Sequence, residues 1–313
     1  MAIRARRLTK VFETGRRRAR RRIEAVRELD LDVAAGERVA YIGPNGAGKS
    51  TSIKILTGIL HPTAGGATVL GLTPWEDRRL LARRIGTLFG QRSLLWLELT
   101  PRQSYRMLAA IYGLDRAAEQ RRIAELGDLL EASGLFDQPV RSLSLGQRMR
   151  CELTACLLHD PEILFLDEPT IGLDLVAKQR FRELLVRLNE QQGTTIFLTS
   201  HDVADIEHVA KRAIVINHGE VIYDDEVAAM RRTLLATKVV EVGLVEAIAA
   251  PTQAGVTLLE HSDQVLRLVV DTNLTPIRVV MDELLDGPAV TDISVVDPPL
   301  EQVIGEIYEL PAR

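Results

Sequence analysis

Cysteine is nearly missing from this 313-residue chain, which has only Cys151 and Cys156. Their spacing on a helix turns through about 500°, which separates the thiols onto different faces. A metal or redox pair is therefore disfavoured, and both read as small helix-packing residues. Also absent is any run near the roughly 18–20 apolar residues that a membrane helix needs. Met1–Lys10 is rich in arginine but lacks the apolar core of a signal peptide. A cytoplasmic location is expected. Neither charge sign dominates, with 39 Lys and Arg against 43 Asp and Glu and a net charge of −4, so no nucleic-acid partner is expected from charge. With 46% hydrophobic and 26% charged residues, composition makes no case for disorder. The length suits one large domain and one smaller one.

One segment departs from this balance. Arg16, Arg17, Arg18, Arg20, Arg21 and Arg22 form a dense basic patch. It could meet anionic lipid headgroups, an acidic loop of a membrane protein or RNA, but charge runs are usually solvated, and a hairpin loop is the favoured reading.

Ile3–Phe12 and Ala25–Val33 have the pattern of strands flanking that loop, and Arg38–Ile42 is a short apolar strand that runs into glycines. Ile53, Ile55, Leu56, Ile59 and Leu60 then predict a helix that His61-Pro62 ends. Thr100-Pro101 and Gly113 bracket a helix over Arg102–Tyr112, and Ala117–Leu130 gives another. Together with the helix after Gln147 they form a helical insert over about 92–158. Glu162–Leu166 and Thr194–Thr199 are apolar, β-rich runs suited to the middle of a parallel sheet. Asn217-His218-Gly219 turns a hairpin. From about Thr237 the pattern changes to short alternating strands, Val265–Val270 the clearest. Thr275-Pro276 opens an amphipathic helix through Ile277, Val280, Met281 and Leu284, and Asp297-Pro298-Pro299 introduces a last one through Leu300, Val303, Ile304 and Ile307. No catalytic motif occurs in this part.

The chemistry is concentrated in Gly43, Pro44, Asn45, Gly46, Ala47, Gly48, Lys49, Ser50 and Thr51, which satisfy G-x-x-x-x-G-K-S/T between a strand and a helix. The glycines let backbone N–H groups point at phosphates, and the following helix adds its positive end. Lys49 reaches the β- and γ-phosphates of a bound nucleotide and Ser50 ligates Mg²⁺. Asp167 ends an apolar strand where it can hold the Mg²⁺ shell opposite Ser50. Glu168 follows it, placed to orient and deprotonate a water attacking the γ-phosphate.

These residues, with Leu143-Ser144-Leu145-Gly146-Gln147 between them, resemble the ATP-binding cassette family over roughly Ile3 to Asp225. The resemblance implies an α/β fold: a P-loop NTPase core with an edge antiparallel β-subdomain and a helical insert over 1–230, followed by a small C-terminal α+β domain over 237–313. It implies that Phe12 stacks on adenine and that Gln91 joins Mg²⁺ and the attacking water to the transporter contact. Ser144, Gly146 and Gln147 then cap the γ-phosphate held by a second ATP-binding subunit, most simply an identical one. A bare helix cap by Ser144 would leave the Gly-Gln unexplained. Leu145 replaces the glycine of the family's commonest LSGGQ, adding bulk. Asp174 resembles the aspartate that communicates between the two sites, and His201 the switch histidine that contacts the γ-phosphate.

Within the family, Ile85–Ser93, Thr170–Asp174 and the compact C-terminal domain look like exporter subunits of the multidrug or antibiotic type. The implied arrangement is an ATPase beneath integral membrane permease subunits, peripheral on the inner face of the membrane. Leu94, Leu95, Trp96 and Leu97 either receive the permease's cytoplasmic helix or pack within the helical insert. An importer subunit would share every catalytic residue. A soluble cassette acting on ribosomes or DNA has the arginine run as its only support, and an ATP-binding cassette without turnover is opposed by the presence of both Glu168 and His201.

Overall fold

The computed structural model describes residues 1–14, 21–89, 93–234, 237–246, 250–285 and 290–296. They fall into two compact units, one ending at Asp225 and the other beginning at Glu226.

In the first unit, β1 (Ile3–Thr14) and β2 (Arg21–Val33) pair antiparallel, with Ile3 opposite Val33 and Thr14 opposite Arg21. Strand β2 thus starts inside the basic run; Arg16, Arg17, Arg18 and Arg20 lie outside the described residues. Next come β3 (Arg38–Ile42), α1 (Lys49–Leu56) and β4 (Ala64–Val69), the last completing a three-stranded sheet of order β2-β1-β4. Helix α1 stops earlier than its apolar residues predict. Gly58 turns left-handed at φ 73, and a Cβ there would come within 2.2 Å of the Pro74 carbonyl oxygen, so Ile59 and Leu60 lie beyond the helix.

After α2 (Arg78–Leu81) and β5 (Ile85–Phe89), helices α3 (Pro101–Tyr112), α4 (Arg116–Leu129) and α5 (Leu145–Leu157) build the insert. Thr100 and Gln103 form a reciprocal capping box at the head of α3, and Gly113 closes it in the left-handed region. The remaining elements are β6 (Ile163–Asp167), α6 (Leu175–Gln192), β7 (Thr195–Thr199), α7 (Val203–Val209), β8 (Arg212–Asn217) and β9 (Glu220–Glu226). The central sheet has the order β5-β6-β7-β3-β8-β9, and β5, β6, β7, β3 and β8 run parallel. His218 (φ 48) and Gly219 (φ 84) supply the two left-handed residues of the β8–β9 turn.

Strand β6 is apolar on both sides because both faces are covered. Leu164 and Leu166 join the core beneath the helices, while Ile163 and Phe165 join the core that β1, β2 and α1 share. Cys151 and Cys156 are free thiols buried in α5, which is enclosed from Cys151 to Leu157. Burial pushes them up to about 11 and about 12, so both are inert packing groups.

The second unit begins around α8 (Val227–Leu234). Strands β10 (Thr237–Leu244), β11 (Val256–His261), β12 (Val265–Asp271) and β13 (Val290–Val296) form an antiparallel sheet of order β11-β12-β10-β13, with α9 (Ile277–Leu285) between β12 and β13 in sequence. Val240, Val242, Leu266, Leu268 and Val270 pack with Val280 and Leu284 of α9 into its core. The helix expected after Pro299 lies outside the described residues.

Candidate functional site

The loop between β3 and α1 is shaped by close backbone approaches. A Cβ on Gly43 would lie 2.4 Å from the Ile216 carbonyl oxygen, and one on Gly48 would lie 2.2 Å from that of Ala25. Gly48 is also the N-cap of α1 at φ 107 and offers no side-chain cap, so the first N–H groups of that helix remain available for an anion. Pro44 is half-buried, Asn45 and Gly46 are exposed and Ala47 is buried. Ala47 donates its N–H to Pro44 and accepts one from Gly219, pinning the loop to the β8–β9 turn.

Lys49 is buried against this loop. Its Nζ donates to the carbonyls of Gly43 and Pro44 and lies 3.5 Å from His201 Nε2. Burial pushes its ammonium below the usual lysine range, with the Glu168 and Asp167 carboxylates acting the other way. His201 Nε2 is in turn 3.0 Å from Glu168 Oε1. Ser50 Oγ, beside half-buried Thr51, donates to Asp167 Oδ2 at 3.0 Å, and Thr199 Oγ1 donates to Asp167 Oδ1 at 2.7 Å. Five side chains expected at the site therefore converge: Lys49, Ser50, Asp167, Glu168 and His201. Glu168 holds φ 53, a conformation that a non-glycine residue adopts at a cost, while its N–H is fixed to the Thr199 side chain and carbonyl.

A hydroxyl and a carboxylate oxygen facing each other at the loop suit a hard cation that also takes phosphate oxygens. Among the described residues no cluster of three His, Cys, Asp or Glu could hold a metal without such a ligand. Gln91 lies outside the described residues. Phe12 is half-buried on β1, with Lys10 Nζ 5.2 Å from its ring centroid.

Ser144, Gly146, Gln147 and Asp174 are brought together elsewhere. They line one open groove of about 980 Å³ that shares no residue with the lysine cluster. Ser144 is the N-cap of α5: its Oγ accepts from Gln147 N–H at 3.3 Å, and Gln147 Oε1 accepts from Ser144 N–H at 2.9 Å. This corrects the expectation that capping leaves Gln147 unexplained, since a capping box calls for Gln or Glu at this place. Leu145 sends its bulk sideways: its Cδ2 is 2.6 Å from where a Cβ on Gly172 would lie. Asp174 caps α6 through Ala177 N–H.

Leu94–Leu97 divides between its two readings. Leu95 is buried and Leu94 packs on the core, whereas Trp96 and Leu97 are 40% and 47% exposed. The buried Glu152 carboxylate on α5 holds the start of this loop, accepting from Ser93 Oγ and Leu94 N–H. Thr199 and Glu152 escaped the sequence reading; an acid inside the apolar run of α5 was the signal for Glu152.

A family model described as ABC transporter matches residues 26–171. The chain is 33% identical over 201 residues to the ABC transporter ATP-binding protein NatA of Bacillus subtilis, covering 64% of this chain and 81% of NatA. It is 35% identical to the daunorubicin/doxorubicin resistance ATP-binding protein DrrA of Streptomyces peucetius, over 67% of this chain and 63% of that one. With the sulfate/thiosulfate import ATP-binding protein CysA of Thermosynechococcus vestitus it shares 34% identity, over 63% and 58%. The dimeric ATP-binding cassette MJ0796, solved in a post-hydrolysis state with ADP and Pi, superposes with a TM-score of 0.64 at 26% identity, over 72% of this chain and 98% of that chain. The chain belongs to the ABC transporter family as an ATP-binding cassette, an ATPase whose hydrolysis is coupled to transport. The fold is the P-loop NTPase cassette, with its antiparallel subdomain at β1, β2 and β4. Phe12, Asp174 and His201 lie outside the residues that the family model matches.

Proposed function

We propose that this chain is the ATPase subunit of an exporter, working as a homodimer on the cytoplasmic face of the membrane beneath separate permease subunits. The observation that carries the catalytic part is the joined set Lys49, His201 and Glu168 beside the Ser50–Asp167 pair. Export is supported by the similarity to the drug-resistance protein DrrA, and the matched importer CysA is the alternative that experiment must exclude. The second unit is an accessory domain in this scheme.

ATP seats its phosphates on the N–H groups of Gly46–Ser50, with the adenine toward Phe12. Lys49 exchanges its loop carbonyls for phosphate oxygens, and its buried ammonium is strengthened there by the low local dielectric. Ser50 and Asp167 would hold Mg²⁺, joined by Gln91. When bound, the ion would supply positive charge that offsets the charge of the phosphates. Glu168 takes a proton from the water that attacks γ-phosphorus as the bond to the β,γ-bridging oxygen breaks. His201, held 3.0 Å from Glu168 Oε1, steadies that carboxylate and contacts the γ-phosphate. Ser144 and the N-terminus of α5 in a second copy cap the γ-phosphate from outside, so ATP favours the closed dimer and hydrolysis reopens it.

The test is Glu168→Gln. With ATP it should elute as a stable dimer and lose turnover; a variant hydrolysing ATP at the parental rate contradicts the assignment. For direction, the tagged chain should be purified from detergent-solubilised membranes. A stoichiometric multi-helix permease supports the transporter role. Vesicles holding that complex then report whether cargo leaves the cytoplasmic side.

A further inference from the structure

Beyond the ends of β6 and β7 the strands keep only the Glu168 N–H bond to Thr199, yet Glu168 and His201 sit on the loops that begin there. Asp167 and Thr199 are the last paired residues of the two strands. Two positions after Glu168 comes Thr170, and one before His201 comes Ser200. Both hydroxyls donate to the same oxygen, Asp205 Oδ2, Thr170 at 2.5 Å and Ser200 at 2.6 Å. The other oxygen of Asp205 accepts from Arg182 Nε of α6 at 2.6 Å. All four side chains are buried, Asp205 to 1% exposure.

We infer that Asp205 is a positioning residue for hydrolysis, fixing the Glu168 loop and the His201 loop to one another through Thr170 and Ser200; this rests on the roles proposed above for Glu168 and His201. A buried carboxylate–guanidinium pair stabilises a fold little better than well-packed apolar side chains, so stability alone gives weak reason to spend an ion pair here. What apolar residues could not do is orient two hydroxyls from two different loops on one atom. Glu168 needs such a clamp because its backbone is held at φ 53, a state that persists only where surrounding contacts over-determine it. The His201 segment is held from a second side as well. Asp202 pairs with Lys178 Nζ at 2.6 Å and with Arg182 Nη2 at 3.1 Å, and both cations lie on α6, whose N-cap is Asp174. The loop bearing Asp174, the helix it starts and the two catalytic loops are thereby one bonded unit, and the Ser50–Asp167 pair joins it only through Thr199, not through Asp205.

The experiment uses the purified full chain with Thr170→Val and Ser200→Ala, singly and together. Neither change strands Arg182, because its partner Asp205 remains. The expected result for the double variant is a fall in kcat of about tenfold or more, with KM and the calorimetric Kd for ATP within about twofold of the parent. Thr170→Ser, which keeps the hydroxyl, restores the rate. Asp205→Asn adds less than its own single effect when combined with the double variant, as expected for members of one unit. Parental kcat in the double variant overturns the inference, and so does a loss of ATP affinity that parallels the loss of rate. Glu168→Gln run alongside separates the two levels: if it hydrolyses at the parental rate, the assignment of Glu168 fails and the inference with it. If it is inactive while the hydroxyl variants are unaffected, the inference about Asp205 fails alone.

Discussion

Lys49 at the head of α1 and Asp167, Glu168 and His201 at the ends of β6 and β7 are tied to one another or to the phosphate loop, whereas Ser144 and Gln147 are tied to each other at the head of α5. The first group, catalytic in the function proposed above, is a cluster that one chain can assemble by folding. The second is a finished helix end, with its cap satisfied, presented at an open groove. A segment whose side chains are already used in holding its own helix has backbone N–H groups and a small residue left to offer. Such a surface suits an anion delivered by another molecule. If the proposed two-subunit site holds, the contrast teaches that a shared active site need not be half-built in each subunit: one half is complete, and the other is a rigid counterpart.

Breaking each half separately should give the largest effects. Lys49→Ala and Ser144→Arg are each expected to lower ATP turnover by about 100-fold or more. Lys49→Ala should also lose ATP binding, while Ser144→Arg should keep it. Mixing the two inactive chains is the sharper measurement. If sites are shared, half the dimers are mixed and each mixed dimer carries one intact site, giving up to about a quarter of the parental rate. Turnover that never rises above that of either chain alone would break the two-subunit scheme.

Next in size is Gly48→Ala. At φ 107, with the Ala25 carbonyl oxygen 2.2 Å from the new Cβ, it should cost about 1–3 kcal/mol of stability in urea unfolding and abolish nucleotide binding. Gly46→Ala meets nothing within 4 Å and serves as the comparison, with only its φ of 84 to resist. On the signature side the matching change is Gln147→Ala, which removes half of the capping box. It should cost about 1 kcal/mol and leave ATP affinity unchanged. If Gln147→Ala weakened ATP binding by the isolated chain, the separation of the two regions would be lost.

The phosphate loop, Asp167 and Glu168 were legible in sequence because each motif carries its own geometry: a strand before, a helix after, an acid at a strand end. His201 was legible only by its place after an apolar strand and by family resemblance, since nothing in the residue itself announces a partner 3.0 Å away. Asp205 was not legible at all. Its three partners, Thr170, Ser200 and Arg182, lie on different elements, and only the packing of α6 and α7 on the sheet brings them to one carboxylate. The helices of the insert were readable from their caps, but the early end of α1 was not. Gly58 turns left-handed just past the C-cap Thr57, a stop signal that the apolar Ile59 and Leu60 beyond it masked. Cargo and direction are absent from the chain's chemistry because, in the proposed scheme, the surfaces that choose them belong to the permease.

The smallest effect concerns how firmly the insert is joined to the nucleotide core. His159, just beyond α5, stacks on Tyr112 of α3 with ring centroids 3.8 Å apart, and its Nε2 lies 2.9 Å from the Ile85 carbonyl oxygen of β5. Its Nδ1 is buried without a partner. Nε2–H is therefore the donor, the ring is neutral, and burial holds its pKa below the ordinary value of 6.5. The sign follows from proton counting. As pH falls through 6.5 the unfolded chain takes up a proton that the folded chain refuses, so stability is full above 6.5 and declines below it until the folded ring protonates. The decline cannot exceed about 1.4 kcal/mol per pH unit for one proton. His159→Phe keeps the stacking and removes the titration. The parent should therefore lose stability relative to the variant as pH is lowered from 7 to 5, with a constant difference between pH 7 and 8. Parallel stability curves for the two chains across the whole range would mean that His159 titrates in the fold as it does in the open chain, and that the joint between insert and core is wet.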